Sequence, residues 1–147
     1  MGRLVSETNS KDNIPSVFRY DSNSLMKTAA DATGTYSFSY DEFGRLTRIK
    51  NPDNKEQIYT YDDGSNIKTY EQVRIGRVEH KLNNYYDKAG RLVKVETPAG
   101  VVKYEYDGVG RLTREENLGS SVNAVYTYSL FNEIAGIDIF KNDELEE

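Results

Sequence analysis

Five aspartates recur along the chain at nearly constant spacing: Asp21, Asp41, Asp62, Asp87 and Asp107. Repeated carboxylates are candidate ligands for a hard cation, which gathers about six to eight oxygens around one point. Asp62 with Asp63, and the stretch Asn51 to Asn54, supply further oxygens. Arg45, Arg91 and Arg111 repeat in step with three of the aspartates and offer a basic track for an acidic ligand. His80 stands beside Glu79, a pairing suited to proton transfer. The twelve tyrosines offer ring faces that suit sugars.

Each chemistry competes with a plainer role. Aspartate followed three residues later by glycine is the signature of a type I turn. Aspartates set one hairpin apart do not converge on an ion. An arginine close to its own turn pairs with the neighbouring acid, a surface contact worth little energy. One histidine in a polar stretch, with no nucleophile in reach, reads as a solvated side chain. Tyrosines on alternating strand positions read first as cross-strand packing.

Inventory narrows the classes further. The 147 residues contain no cysteine, no tryptophan and one histidine, which leaves no disulfide framework, thiolate metal site or Cys/His nucleophile pair. Net charge is -5, the wrong balance for a nucleic-acid binder, which must neutralise phosphates. No apolar run approaches the roughly 18 residues of a membrane helix, and the first residues read as no signal peptide. Leu, Ile, Val and Phe make up 33 residues and mean hydropathy is -0.74, a thin apolar supply for a deep core. Tyrosine supplies much of the remaining apolar surface, and its polar tip suits a half-wet sheet face.

The elements that position these residues follow from laying the chain on itself. Tyr40-Asp41-Glu42-Phe43-Gly44-Arg45-Leu46 recurs as Tyr86-Asp87-Lys88-Ala89-Gly90-Arg91-Leu92 and as Tyr106-Asp107-Gly108-Val109-Gly110-Arg111-Leu112. Degenerate copies run from Tyr20 to Met26, Tyr61 to Ile67 and Tyr128 to Ile134, where Ser129 replaces the aspartate. The leading residue is tyrosine in all six copies. Two residues earlier stand Phe18, Phe38, Tyr59, Asn84, Tyr104 and Tyr126, which puts two rings on one strand face in five copies. The turn ends in Gly44, Gly90 or Gly110, or in Ser24, Ser65 or Asn132. Glycine takes the left-handed backbone freely and asparagine tolerates it. Serine fits less well, so the turns at Ser24 and Ser65 are expected to be built differently. The apolar pairs Leu46 with Ile49 and Leu92 with Val95 are three apart, which predicts a bulge or a strand covered on both faces. Asn51-Pro52-Asp53-Asn54 and Thr97-Pro98-Ala99-Gly100 read as looser turns between hairpins, and Glu71 to Lys81 carries an insertion.

These columns resemble the YD-repeat, or Rhs-repeat, family, whose pattern is aromatic-x-Tyr-Asp-x-x-Gly-Arg-Leu. The likeness spans about Gly2 to Ile139. It implies a strip of antiparallel strands that spirals into a shell, as in polymorphic toxins, Tc insecticidal toxins, wall-associated bacterial proteins and teneurins. In the toxins the shell encloses a C-terminal effector. The family's Asp-Pro-x-Gly core motif does not occur in the chain, so no protease residues carry over. Gly2-Arg3-Leu4 matches the tail of an earlier copy, which reads as a chain that starts in mid-repeat.

The fold expected is all-β: consecutive antiparallel β-hairpins of about 20 residues in one curved or spiralling sheet. Residues 1–17 are a partial repeat with a polar loop, 18–140 the repeat sheet, and 141–147 an acidic tail. The structural motif residues are Tyr40, Asp41, Gly44, Arg45 and Leu46, then Tyr86, Asp87, Gly90, Arg91 and Leu92, then Tyr106, Asp107, Gly110, Arg111 and Leu112. No catalytic, cofactor or metal residue is assigned. The resemblance implies a non-enzymatic, secreted or surface-exposed wall around a cargo or toxin polypeptide. The rival reading is an adhesion module binding glycan through exposed Tyr59, Tyr61, Tyr104 and Tyr106. Neither nucleic acid nor membrane insertion enters either reading, and unpaired sheet edges invite self-association.

Overall fold

The computed structural model describes the backbone of residues 4–8, 15–142 and 144–145, with side chains from residue 16 onward. Gly2 and Arg3 of the partial repeat, the polar loop from Ser10 to Ile14, and Asp143, Glu146 and Glu147 of the acidic tail lie outside the described residues. The described residues form fourteen strands and no helix. They are β1 (Leu4–Thr8), β2 (Pro15–Tyr20), β3 (Met26–Asp31), β4 (Gly34–Tyr40), β5 (Leu46–Lys50), β6 (Lys55–Tyr61) and β7 (Ile67–Arg74). After these come β8 (Arg77–Tyr86), β9 (Leu92–Thr97), β10 (Gly100–Tyr106), β11 (Leu112–Asn117), β12 (Val122–Tyr128), β13 (Ile134–Lys141) and β14 (Glu144–Leu145). Strand order is chain order throughout, the topology of hairpins laid side by side. Two compact units divide the chain, Met1–Thr60 with Thr69–Lys81 and Tyr61–Lys68 with Leu82–Glu147.

Within the first unit β1 to β5 pair antiparallel in succession, and β5 pairs with β6. Within the second, β9 to β14 do the same. Neither unit has a deep interior. Among the described residues only Val73, 9% exposed, and Asn123, 7% exposed, are buried, and no side chain is fully enclosed. A single layer wetted on both faces follows from the meagre supply of aliphatic residues, because a second layer would need another apolar face to pack against. Half-buried tyrosines and long polar side chains supply the cover instead.

One hairpin design recurs. The residue after the tyrosine opens a four-residue turn closed by a backbone hydrogen bond, Gly44 N–H to Asp41 C=O at 3.0 Å, Gly90 to Asp87 at 3.0 Å and Gly110 to Asp107 at 3.0 Å. A second bond crosses the neck, from Asp41 N–H to Arg45 C=O at 3.0 Å and from Asp107 N–H to Arg111 C=O at 2.9 Å. The fourth residue is left-handed in all six copies, with φ of 64° at Ser24, 79° at Gly44, 65° at Ser65, 78° at Gly90, 93° at Gly110 and 64° at Asn132. The expectation that Ser24 and Ser65 build different turns is therefore corrected. Aspartate in the first position imposes the geometry even where serine must bear the strain. Replacing Ser65 by glycine is expected to stabilise the protein by about 0.5–1 kcal/mol, the left-handed penalty less glycine's extra unfolded freedom, read as a higher urea midpoint.

The returning strand carries the bulge. Ser39 faces Arg48 while the next residue, Tyr40, faces Leu46, so Thr47 is the extra residue. The same shift occurs at Arg19/Tyr20, Tyr85/Tyr86, Glu105/Tyr106 and Thr127/Tyr128. This accounts for the three-residue spacing of the apolar pairs. Because Tyr40 opposes Leu46 and Phe38 opposes Ile49, the bulge at Thr47 brings Leu46 and Ile49 to one face with both rings. At the opposite ends of the strands, Asp31 pairs with Gly34 and Thr97 with Gly100 across two-residue loops. Asn51 to Lys55 repeats the aspartate-type turn, with Asn54 left-handed at φ 61°.

Candidate functional site

The chemistry-bearing residues meet at the joint between one hairpin and the next. Each aspartate is used up by its own turn. Asp87 Oδ1 accepts the N–H groups of Ala89 at 2.9 Å and Arg91 at 3.0 Å, while Oδ2 accepts Arg91 Nε at 2.7 Å. Asp107 makes the same set with Val109 at 3.0 Å, Arg111 N–H at 2.9 Å and Arg111 Nε at 2.7 Å. Asp41 repeats it with Phe43 at 3.0 Å, Arg45 N–H at 2.9 Å and Arg45 Nε at 2.7 Å. In the degenerate copies Asp21 holds Asn23 and Leu25 N–H at 2.9 Å each, and Asp62 holds Asn66 N–H at 2.8 Å. Three donors each commit the carboxylates of Asp41, Asp87 and Asp107, two commit that of Asp21, and no group of three or more His, Cys, Asp or Glu side chains stands together among the described residues.

Electrostatics follow from this. Donation from the Arg91 backbone, then from its guanidinium, holds the Asp87 carboxyl below the ordinary carboxylate value. Arg111 acts in the same way on Asp107, first through its backbone N–H and against partial burial. At Asp41 burial pushes upward, but the bonds from Arg45 and Phe43 outweigh it and the carboxyl again lies low. A depressed native value means that the ionised form stabilises the fold above the unfolded-state pKa, about 3.9, and that this contribution fades as pH falls through the native values. Urea midpoints are therefore expected to drop between pH 6 and pH 3, with a smaller drop in Asp107→Asn, which keeps the turn geometry but cannot titrate.

The tyrosine links one copy to the next. Tyr40 O–H donates to Met26 C=O at 3.0 Å, Tyr86 to Ile67 C=O at 3.0 Å, Tyr106 to Leu92 C=O at 2.8 Å and Tyr128 to Leu112 C=O at 2.7 Å. In every case the acceptor is the first residue of the preceding copy's returning strand, and Met26, Leu92 and Leu112 each lie beside a bulge. Arginine closes the joint from the other side. The Arg91 guanidinium lies 4.8 Å from the centre of the Tyr106 ring, and that of Arg111 lies 4.5 Å from the Tyr128 ring. Arg111 also donates to Asn132 Oδ1 at 2.8 Å in the next turn. Aspartate, arginine and the next tyrosine thus stack as one column at two joints, Asp87–Arg91–Tyr106 and Asp107–Arg111–Tyr128, whereas the Arg45 guanidinium lies 5.1 Å from the centre of the Phe43 ring in its own turn.

The remaining candidates do not share a site. Tyr59 donates to Gln57 Oε1 at 2.7 Å and tilts against Tyr70, with ring centres 5.3 Å apart. Tyr104 is half-buried, and burial pushes its hydroxyl pKa up. Tyr61 and Tyr106 are also half-buried, so the four rings named for glycan contact are not the exposed surface that reading expects. His80 and Glu79 are exposed on β8. The hydroxyl contact to the preceding copy is absent from the sequence reading. Its signal lies in the columns: the first aromatic yields to Asn84, but the tyrosine is never replaced by phenylalanine.

The fold and its joint define a class of protein, a repeat of antiparallel hairpins built on Tyr-Asp turns. The chain matches the teneurin YD-shell family over residues 1–130 and belongs to it. It is 25% identical to a double-stranded DNA deaminase toxin A of Burkholderia cenocepacia (strain H111), aligning over 88% of this chain and 12% of that protein. Among solved structures, the TcdB2-TccC3-Cdc42 crystal structure superposes with a TM-score of 0.65 at 14% identity, over 92% of this chain and 9% of that one. The TcdB2-TccC3 structure gives 0.65 at 15% identity, over 90% and 10%. The chain spans about a tenth of the length of these relatives.

Proposed function

We propose that the chain is a non-enzymatic wall segment of a β-sheet shell that encloses or displays a cargo polypeptide, in a secreted or surface-exposed protein. The observation that carries this reading is the joint. Each tyrosine hydroxyl ties its hairpin to the backbone of the one before, in four copies of the same geometry. Such a joint extends a sheet sideways without needing a core, which suits a wall rather than a compact catalytic domain. Family membership and the toxin relative support the same reading. The deaminase activity in that relative's name belongs to that protein, of which this chain matches a small part.

The test is protection. In the polypeptide that carries this segment, the enclosed part should survive native proteolysis and become cleavable in the Tyr106→Ala variant. Cleavage of the cargo at the same rate in wild type and variant would defeat the enclosing-wall reading. Turnover by the segment itself, lost in Asp107→Asn without loss of folding, would defeat the non-enzymatic one.

A further inference from the structure

The insertion between Glu71 and Lys81 has no part in the hairpin joint. It lengthens β7 to 8 residues and β8 to 10, against 5 to 7 in β2 through β6. β8 pairs with β9 from Asn83, opposite Glu96, to Tyr86, and Arg77 to Lys81 precede that stretch over about 17 Å at 3.4 Å per residue. The two strands are joined by Ile75 and Gly76 alone, with φ of 49° and 74°. A branched residue at positive φ is a true outlier, where asparagine would serve far better. Ile75 is nevertheless 81% exposed, and Val78 beside it is 53% exposed. The strain thus holds an aliphatic side chain out in solvent, which no packing in this fold explains. Arg74 and Arg77 flank the turn, both exposed, with no side-chain ion pair or hydrogen bond to any described residue. Lys81, farther back, is paired with Glu71 at 2.7 Å, while Glu79 and His80 are exposed.

We propose that this tip is a docking finger for an anionic lipid surface. A basic collar around exposed aliphatic side chains matches the phosphate layer over the acyl boundary, and guanidinium groups bind phosphate oxygens in pairs. Area separates lipid from protein as the occupant. A stable protein interface buries about 800 Å² on each partner, more than a two-stranded tip can present, whereas a bilayer demands no shape complementarity. Attachment by this finger is weak on its own and gains strength when several chains sit on one membrane.

The test is co-sedimentation of the full chain with vesicles. Phosphatidylserine mixed with phosphatidylcholine should bind it at least about tenfold better than phosphatidylcholine alone, and salt should weaken the binding. Ile75→Asn removes the aliphatic tip while relieving the turn. It should raise the urea midpoint and lower vesicle binding roughly tenfold, a pairing that misfolding cannot mimic. Arg74→Gln with Arg77→Gln should abolish the preference for phosphatidylserine. Equal binding to both vesicle types, binding unaffected by these variants, or finger-dependent binding to polyglutamate in place of vesicles would each overturn the proposal.

Discussion

Gly100→Ala is expected to lower stability by about 2–4 kcal/mol, combining backbone strain with overpacking. Gly100 begins β10 at φ 150°, and a methyl group there would lie 2.8 Å from Gly119 Cα. The neighbour is main chain and cannot swing aside as a side chain would. Gly119 faces the reciprocal problem, because its own methyl would meet Ala99 O at 2.7 Å. Two turns at the same end of adjacent hairpins therefore touch backbone to backbone, and Leu118 N–H donates to Val101 C=O at 2.9 Å. Gly90→Ala provides the internal comparison. Its φ is 78°, yet nothing lies within 4 Å of the added methyl, so only the left-handed penalty less the alanine chain's smaller unfolded freedom applies, about 0.5–1 kcal/mol. Urea denaturation should rank the variants wild type, Gly90→Ala, Gly100→Ala. Equal losses at the two sites would mean that the close approach at Gly119 is not maintained.

Tyr106→Ala should cost about 2–4 kcal/mol, the loss of a half-buried ring together with its hydrogen bond. Tyr106→Phe separates the two contributions. It keeps the ring beneath Arg91 and removes only the bond to Leu92 C=O, so about 1 kcal/mol is expected. The guanidinium contact is isolated by a double-mutant cycle between Arg91→Ala and Tyr106→Ala, with a coupling of about 0.5–1 kcal/mol. Coupling near zero would reduce Arg91 to a partner of Asp87 alone. Because the joint lies between copies, Tyr106→Ala should raise amide exchange on both sides of it, in β9 and in β10.

Much of this architecture was legible in the sequence, for reasons that particular residues make clear. Asp-x-x-Gly encodes a turn because both the carboxylate and the left-handed residue are local requirements, independent of the rest of the fold. The bulge was legible only as one of two alternatives, since the three-residue spacing of Leu46 and Ile49 fits a bulge or a strand covered on both faces, and the register decides for the bulge. The serine turns misled because propensity was weighed at Ser24 and Ser65 alone. Asp21 and Asp62 anchor those turns from the other end, each accepting a backbone N–H four residues on. The joint itself was not legible. Periodicity tells which face a ring occupies, but not that its hydroxyl reaches a carbonyl in the preceding copy, 14 residues back at Tyr106 and 16 at Tyr128. The insertion was visible as an irregular interval, whereas its strained turn was not.

The acceptor at each joint belongs to the main chain, whether the residue carrying it is Met26, Ile67, Leu92 or Leu112. A connection that ignores side-chain identity survives drift on one partner without compensating change on the other. It also survives gene duplication and unequal crossing-over, because any unit offers its successor the same oxygen. Proteins assembled this way can grow or shrink by whole modules, and their length is free to follow the size of whatever they must accommodate.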